Sequence, residues 1–266
     1  MSAVTFQILD ASDASLNKTS VIVAGDSEAV VVDPGFTLAD GHRLVAALLD
    51  ANKAPKAVLI TAGDPDFYFG AEVLADAFPG VPFLAPADVI AHIRESYEGK
   101  LQAWAQLGAN LPTRLIELTP FEGALTVDCT DLELRHAEAL GDHGWYVYVP
   151  SQSALLGGVV LFEGLHVWTA DNATPESRAP WIAALDDLEA LAPTFVVAGH
   201  RVADAATDLT AIRFTRQYLR DFDRIIAESP DAATAEAALV AAYPEAGLRL
   251  AVTLGTKVAK GEMTWG

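Results

Sequence analysis

Two carboxylates two residues apart, Asp64 and Asp66, stand in the turn Gly63-Asp64-Pro65-Asp66-Phe67-Tyr68. An apolar run, Val58 to Ile60, precedes the turn, and a helix-compatible segment, Ala71 to Ala77, follows it. Strand ends of this kind are where α/β sheets build their sites. Carboxylates so placed can take a proton or ligate a cation, and the Tyr68 hydroxyl can donate a proton or hold an oxyanion. An imidazole follows a second apolar run: Thr194 to Ala198 ends at Gly199-His200. A second pair, Asp142-His143, lies in a loop. Each residue also has a plainer reading. Asp66 can cap the following helix, and Asp64 can bond to turn amides. Tyr68 can pack the helix start, and His143 can sit on an exposed turn. His42, His92, His136 and His166 have no partners at ligand spacing and read as surface or packing residues. Trp145, Trp168 and Trp181 read as core, with Trp168 also able to line a pocket rim; Cys129 reads as buried packing.

The elements that must position these groups follow from periodicity. Val4 to Leu9 alternates as an edge strand does. Ser20 to Ala24 and Ala29 to Val32 flank Gly25-Asp26-Ser27-Glu28 as a hairpin. Asp33-Pro34-Gly35 is a turn, and Asp40 to Leu49 has helical spacing. Phe83 to Ala85 is a short strand, and Pro86 opens a helical stretch to about Leu107. Short strands then succeed one another: Arg114 to Glu117, Leu125 to Val127, Leu132 to His136, Trp145 to Val149, and Ala154 running on to Phe162. Pro175 to Leu191 is a helix, and Asp204 to Glu228, Ala232 to Ala242 and Leu248 to Lys257 form a helical tail. Two β-rich halves with helices, then helices alone, suit two sheets packed face to face under outer helices, with a helical cover.

With 266 residues, 52% of them hydrophobic and 20% charged, a sizeable core is expected. The net charge of −19 disfavours nucleic acid and anionic membrane surfaces as partners. A single cysteine excludes an intrachain disulfide. The stretch from Met1 to Gln7 does not read as a signal peptide, and no apolar run reaches roughly 18 residues, so a cytoplasmic protein is expected.

The central turn resembles the metal-binding signature of the metallo-β-lactamase superfamily, Thr-His-x-His-x-Asp-His followed by a Gly-rich helix start. Thr61, Asp66 and Gly70 match it, whereas Ala62, Asp64 and Phe67 stand at the His positions. Val31-Val32-Asp33-Pro34-Gly35 resembles that family's Asp-x-Gly turn. Val147-Tyr148-Val149-Pro150 with Ala154-Leu155-Leu156 resembles its hairpin, and Val196-Val197-Ala198-Gly199-His200 its terminal Gly-His. Four such features in order, over about residues 4 to 203, imply an α/β fold of the αββα four-layer type. On this reading residues 1–203 form that domain and residues 204–266 a C-terminal helical extension packed on it.

In the family two metals lie between the sheets and activate water. The resemblance places Leu140 at another His position and Val159 at the bridging carboxylate, so Asp66 and His200 alone are unchanged, with Asp64 a substitution still able to ligate. No metal and no other cofactor is therefore expected; the alternative is a single metal at Asp64, Asp66 and His200 for which His143 or Asp142 shifts in as a further ligand. The family also implies that Asp66 and His200 approach each other, and a carboxylate beside an imidazole fixes its tautomer and makes a general base. The leading expectation is a divergent, metal-free hydrolase-like enzyme acting on a small ester, lactone or carbonyl substrate. Its catalytic residues would be Asp66, His200, Tyr68 and His143, with Asp64, Phe67, Asp142 and Trp168 around the substrate. The alternatives are a non-catalytic small-molecule binder with an apolar cleft and a structural, homo-oligomeric relative that keeps only the shell.

Overall fold

The computed structural model describes residues 3–265; Met1 and Ser2, with which the amino-terminal stretch read above begins, and Gly266 lie outside the described residues. The alternating amino-terminal segment is β1 (Thr5–Asp10), antiparallel to β2 (Thr19–Ala24), which pairs in turn with β3 (Glu28–Val32). Helix α1 (Leu38–Ala51) starts where Thr37 and Asp40 cap each other reciprocally. Strand β4 (Ala54–Leu59) runs parallel to β3 and ends at the carboxylate turn, which holds α2 (Pro65–Tyr68) and leads into α3 (Ala71–Ala77). Then come β5 (Phe83–Ala85), the long α4 (Ala87–Ala103) and the two-residue β6 (Thr119–Pro120). These six strands form one sheet in sequence order.

The second sheet is built from β7 (Gly123–Val127), β8 (Thr130–His136), β9 (Trp145–Val149) and β10 (Ala154–Leu156). After β11 (Phe162–Glu163) and α5 (Pro175–Ala190), β12 (Phe195–Val197) inserts parallel to β10, giving the order β12-β10-β9-β8-β7. Strand β13 (His200–Arg201) pairs with β11. The chain ends in α6 (Thr210–Glu228), α7 (Ala232–Ala242) and α8 (Arg249–Ala259). This is the αββα sandwich implied by the resemblance, with the C-terminal helices added to it. Buried side chains of α6, including Ile212, Tyr218 and Phe222, share one continuous core with both sheets.

Some elements differ from the sequence reading. Arg114 to Glu117 is not a strand. The carboxylate of Glu72 accepts from the Thr113 amide and hydroxyl at 2.6 Å each and pairs with Arg114 at 2.8 Å, so side-chain contacts hold the segment instead of a ladder. The run from Ala154 to Phe162 is broken by a 3-10 turn at Gly158–Val160. Cys129 is exposed, because it sits beside the tight β7–β8 turn at Asp128 rather than inside a strand.

Beneath the cleft lies a buried ion pair. Lys18 is fully buried, with its ammonium 3.3 Å from Asp33 Oδ2. Asp33 also accepts from the Thr61 amide at 2.8 Å and hydroxyl at 2.9 Å, which ties the end of β3 to the end of β4. Asp33 adopts φ 57°, a conformation that Asn and Asp tolerate better than other side chains. Lys18→Met strands this carboxylate without a counter-charge and is expected to cost about 3–5 kcal/mol in urea denaturation. Lys18→Met with Asp33→Asn should cost less than Lys18→Met alone. A single Lys18→Met variant as stable as wild type contradicts this account.

Candidate active site

Asp64 is the residue before α2, and its side chain does not cap the helix. Asp66 lies inside α2, and α3 likewise has no side-chain cap, so neither carboxylate takes the capping role open to it. Asp66 Oδ2 instead meets His200 Nε2 at 3.1 Å, and both side chains are buried. The other ring nitrogen of His200, Nδ1, donates to the Leu16 carbonyl at 3.0 Å. That carbonyl is aimed by a left-handed pair, Leu16 and Asn17 (φ 57° and 52°). With Nδ1–H committed to a carbonyl, Nε2 is the nitrogen that faces Asp66. The ring is clamped between Phe162, stacked at 4.8 Å, and the edge of Phe67 at 5.7 Å. Strand β13 is held by the bidentate Arg201–Asp10 pair, 2.7 and 2.8 Å, so His200 sits on a rigid element. At Gly199 a Cβ would stand 1.9 Å from the Gly158 carbonyl oxygen, so only glycine allows this approach.

A second constellation lies across the cleft. Lys100, in the last turns of α4, places its ammonium 2.8 Å from Asp64 Oδ1 and 3.3 Å from His92 Nε2. His92 Nδ1 bonds to Asp142. His143 Nε2 lies 3.2 Å from Asp64 Oδ2. Burial alone would lower the His143 pKa, but contact with Asp64 and the charges of Asp64, Asp142 and Asp171 outweigh it and push it up to about 9. Burial likewise opposes ionisation of Asp64, yet His143 and Lys100 prevail and hold its carboxyl far below the usual range. Asp171 moves the other way, raised by burial and by the charge of Asp64. His92, Asp142 and His143 bring ligand-type atoms within 4.8 Å of one another, the grouping among the described residues with a metal-like donor set.

Both constellations open into one cavity of about 570 Å³. Trp104, Trp168, Trp181, Val159 and Leu248 supply apolar wall, with Asp66 and His200 also lining it. Trp265 closes one rim, its indole N–H donating to Asp171 at 2.9 Å and its ring meeting Trp168 edge-on at 5.5 Å. Of the residues singled out from sequence, Asp64, Asp66, Phe67, His143, Trp168 and His200 line this cavity. Asp142 stands behind His92. Tyr68 is not brought there: its ring packs on Phe69 and Tyr97, its hydroxyl has no hydrogen-bond partner among the described residues, and burial raises its pKa. Sequence reasoning passed over His92, Lys100, Asp171 and Trp265. The available signal was a helical stripe, His92, Ser96 and Lys100 at four-residue spacing, which reads as a solvated face until Gly63 is placed against it. A Cβ on Gly63 would meet the His92 ring at 2.6 Å.

A sandwich of two sheets with a cleft at the strand ends, lined by carboxylates and imidazoles, defines a hydrolase-like protein class. Residues 16–200 match the family model described as the metallo-beta-lactamase superfamily. No curated protein sequence matches the chain. Among solved structures the fold is similar to a metallo-beta-lactamase family protein from Thermus thermophilus, at 15% identity, TM-score 0.64, with 98% of this chain and 93% of that chain covered. It is similar to the BLEG-1 B3 metallo-beta-lactamase at 17% identity and TM-score 0.59, covering 81% and 99%. A metallo-beta-lactamase from Pontibacter korlensis matches at 17% identity and TM-score 0.54, covering 82% and 93%. The chain belongs to the metallo-beta-lactamase superfamily.

The His143 assignment has a measurable consequence. Its folded pKa lies above its unfolded value of about 6.5, so its stabilising effect is complete below that pH and is lost as pH rises through about 9. The His143 ring resonance, identified by its loss in His143→Gln, should titrate with a midpoint near 9. Asp64→Asn should move that midpoint down. A wild-type midpoint near 6.5 contradicts the Asp64–His143 pairing.

Proposed function

We propose that this chain is a hydrolase-like enzyme that works without a metal, using Asp66 and His200 as its acid–base pair on a small ester, lactone or carbonyl substrate. The observation that carries the reading is the His200 geometry. One nitrogen is fixed on a carbonyl and the other faces a buried carboxylate 3.1 Å away at the wall of an apolar cavity. Both ring nitrogens are thereby engaged, so the proton taken from water goes to the Asp66 carboxylate, which shares it with His200 Nε2 and returns it to a leaving group, while the Leu16 carbonyl keeps the tautomer.

The metals of the superfamily do not fit the donor set. Ala62, Phe67, Leu140 and Val159, at positions where the resemblance places ligands, carry no donor atom. Both oxygens of Asp64 are met by cations of the chain itself, Lys100 and His143. The Lys18 ammonium lies 4.1 Å from the centre of the Phe67 ring, so a fixed positive charge already stands beside that former ligand position. No step of the proposed chemistry runs through a metal.

A second reading is supported by the cavity. A volume of about 570 Å³ with tryptophan walls is the size and character of a small-molecule binding site, and a non-catalytic binder would use it unchanged. In either case the ligand is a small molecule; the acidic surface argues against nucleic acid, and we place the protein in the cytoplasm. No helix among the described residues is long and apolar enough to cross a membrane.

The two readings separate in a screen of chromogenic esters and lactones run with chelator present. The enzyme reading predicts turnover that falls by roughly 10²–10⁴ in kcat/KM in His200→Ala and in Asp66→Asn. Turnover unaffected by both variants contradicts it. Thermal stabilisation by apolar ligands with no turnover in any protein favours the binder.

A further inference from the structure

We propose that Lys100 is a nucleophilic amine that forms an imine with an aldehyde or ketone entering the cavity. The constellation around it is a relay. The Asp142 carboxylate accepts from His92 Nδ1–H, which fixes the tautomer and leaves the Nε2 lone pair free. That lone pair faces the Lys100 ammonium at 3.3 Å. A carboxylate, an imidazole and a nucleophile in line are the arrangement by which a general base activates an attacking group, here with an amine in the nucleophile's place. Asp64 holds the amine from the other side at 2.8 Å, while its second oxygen faces His143, so the carboxylate serves two cations at once. Lys100 and His92 both line the cavity with Trp104 and Trp168, so the carbonyl compound would carry an apolar body.

The step balances within the chain. His92 Nε2 takes one proton from the ammonium, leaving a neutral amine. The amine nitrogen attacks the carbonyl carbon, forming a C–N bond as the C=O π pair moves to oxygen. The proton on nitrogen passes to that oxygen, giving a neutral carbinolamine. Protonated His92 then returns its proton to the hydroxyl, water departs, and the nitrogen pair closes the iminium. One water is released, and His92 ends as it began. His92 touches the reacting atoms; Asp142 acts through His92 and is a positioning residue.

This inference does not rest on the Asp66–His200 pair, since trapping an imine needs no turnover. Cinnamaldehyde, an apolar aromatic aldehyde, is incubated with the intact protein in the presence of cyanoborohydride, and labelled lysines are mapped by peptide mass spectrometry. One reduced adduct is expected, on Lys100, formed ahead of any on the exposed Lys56 and Lys257. Lys100→Arg, which keeps a cation against Asp64, should abolish that adduct while leaving the thermal unfolding temperature close to wild type. His92→Ala should slow labelling of Lys100 by about a hundredfold, the lower range for a lost general base, without changing the rate at Lys56. Asp142→Asn should slow it too, and Asp142→Glu should restore part of the rate. Labelling of Lys100 no faster than of Lys56, or a Lys100 rate indifferent to His92→Ala, overturns the proposal.

Discussion

Three carboxylates at and beneath the cleft, Asp33, Asp64 and Asp66, each face nitrogen from another part of the chain. Asp33 meets Lys18, Asp64 meets Lys100 and His143, and Asp66 meets His200. An unpaired carboxylate in such surroundings would cost several kcal/mol, so these contacts dictate how the surrounding elements must approach. Lys18 requires the segment before β2 to cross under the turn. Lys100 requires α4 to lie along the mouth, and His200 requires β13 to sit beside β11. The sandwich supplies these approaches, and glycines at 63 and 199 allow the tightest of them.

The same pairing gives the cleft its chemical character. Asp64 is met on both oxygens by side chains fixed to the scaffold, Lys100 and His143. Apolar groups fill the remaining positions, with Phe67, Phe162 and Val159 around the acid–base pair and tryptophans on the walls. Electrostatic contacts are stronger in such surroundings than in water, which makes the orientation of His200 and the high pKa of His143 consequences of one cause. Two imidazoles in one cavity thereby acquire different roles. His200 is held between a carbonyl and a buried carboxylate, whereas His143 stays charged through the neutral range.

Much of the architecture was legible in the sequence because it rests on local signals. The hairpin of β2 and β3, the short β5, the helical spacing of α1, the helix α5 and the terminal Gly-His each follow from nearby residues. Arg114 to Glu117 failed for a non-local reason: the polar groups at its start are claimed by Glu72, far back in the chain. Half of the site was readable through the superfamily motif, which pointed to Asp66 and His200. The other half was not, since no motif contains a lysine on α4, and its importance depends on Gly63 letting His92 and Lys100 lean over the turn. Tyr68 illustrates the reverse error. Its place beside two carboxylates in sequence suggested catalysis, but the helical rise from Pro65 turns it to the opposite side of α2, onto Tyr97.

Metal content tests the central claim, a cleft whose charges are already balanced by the chain itself, most directly. Protein produced with zinc supplied and then dialysed would be assayed by inductively coupled plasma mass spectrometry and titrated with zinc by calorimetry. Self-neutralisation predicts no stoichiometric zinc and no binding heat that Asp64→Asn, Asp66→Asn or His200→Ala can remove. One zinc per chain at micromolar affinity, lost in those variants, would contradict it.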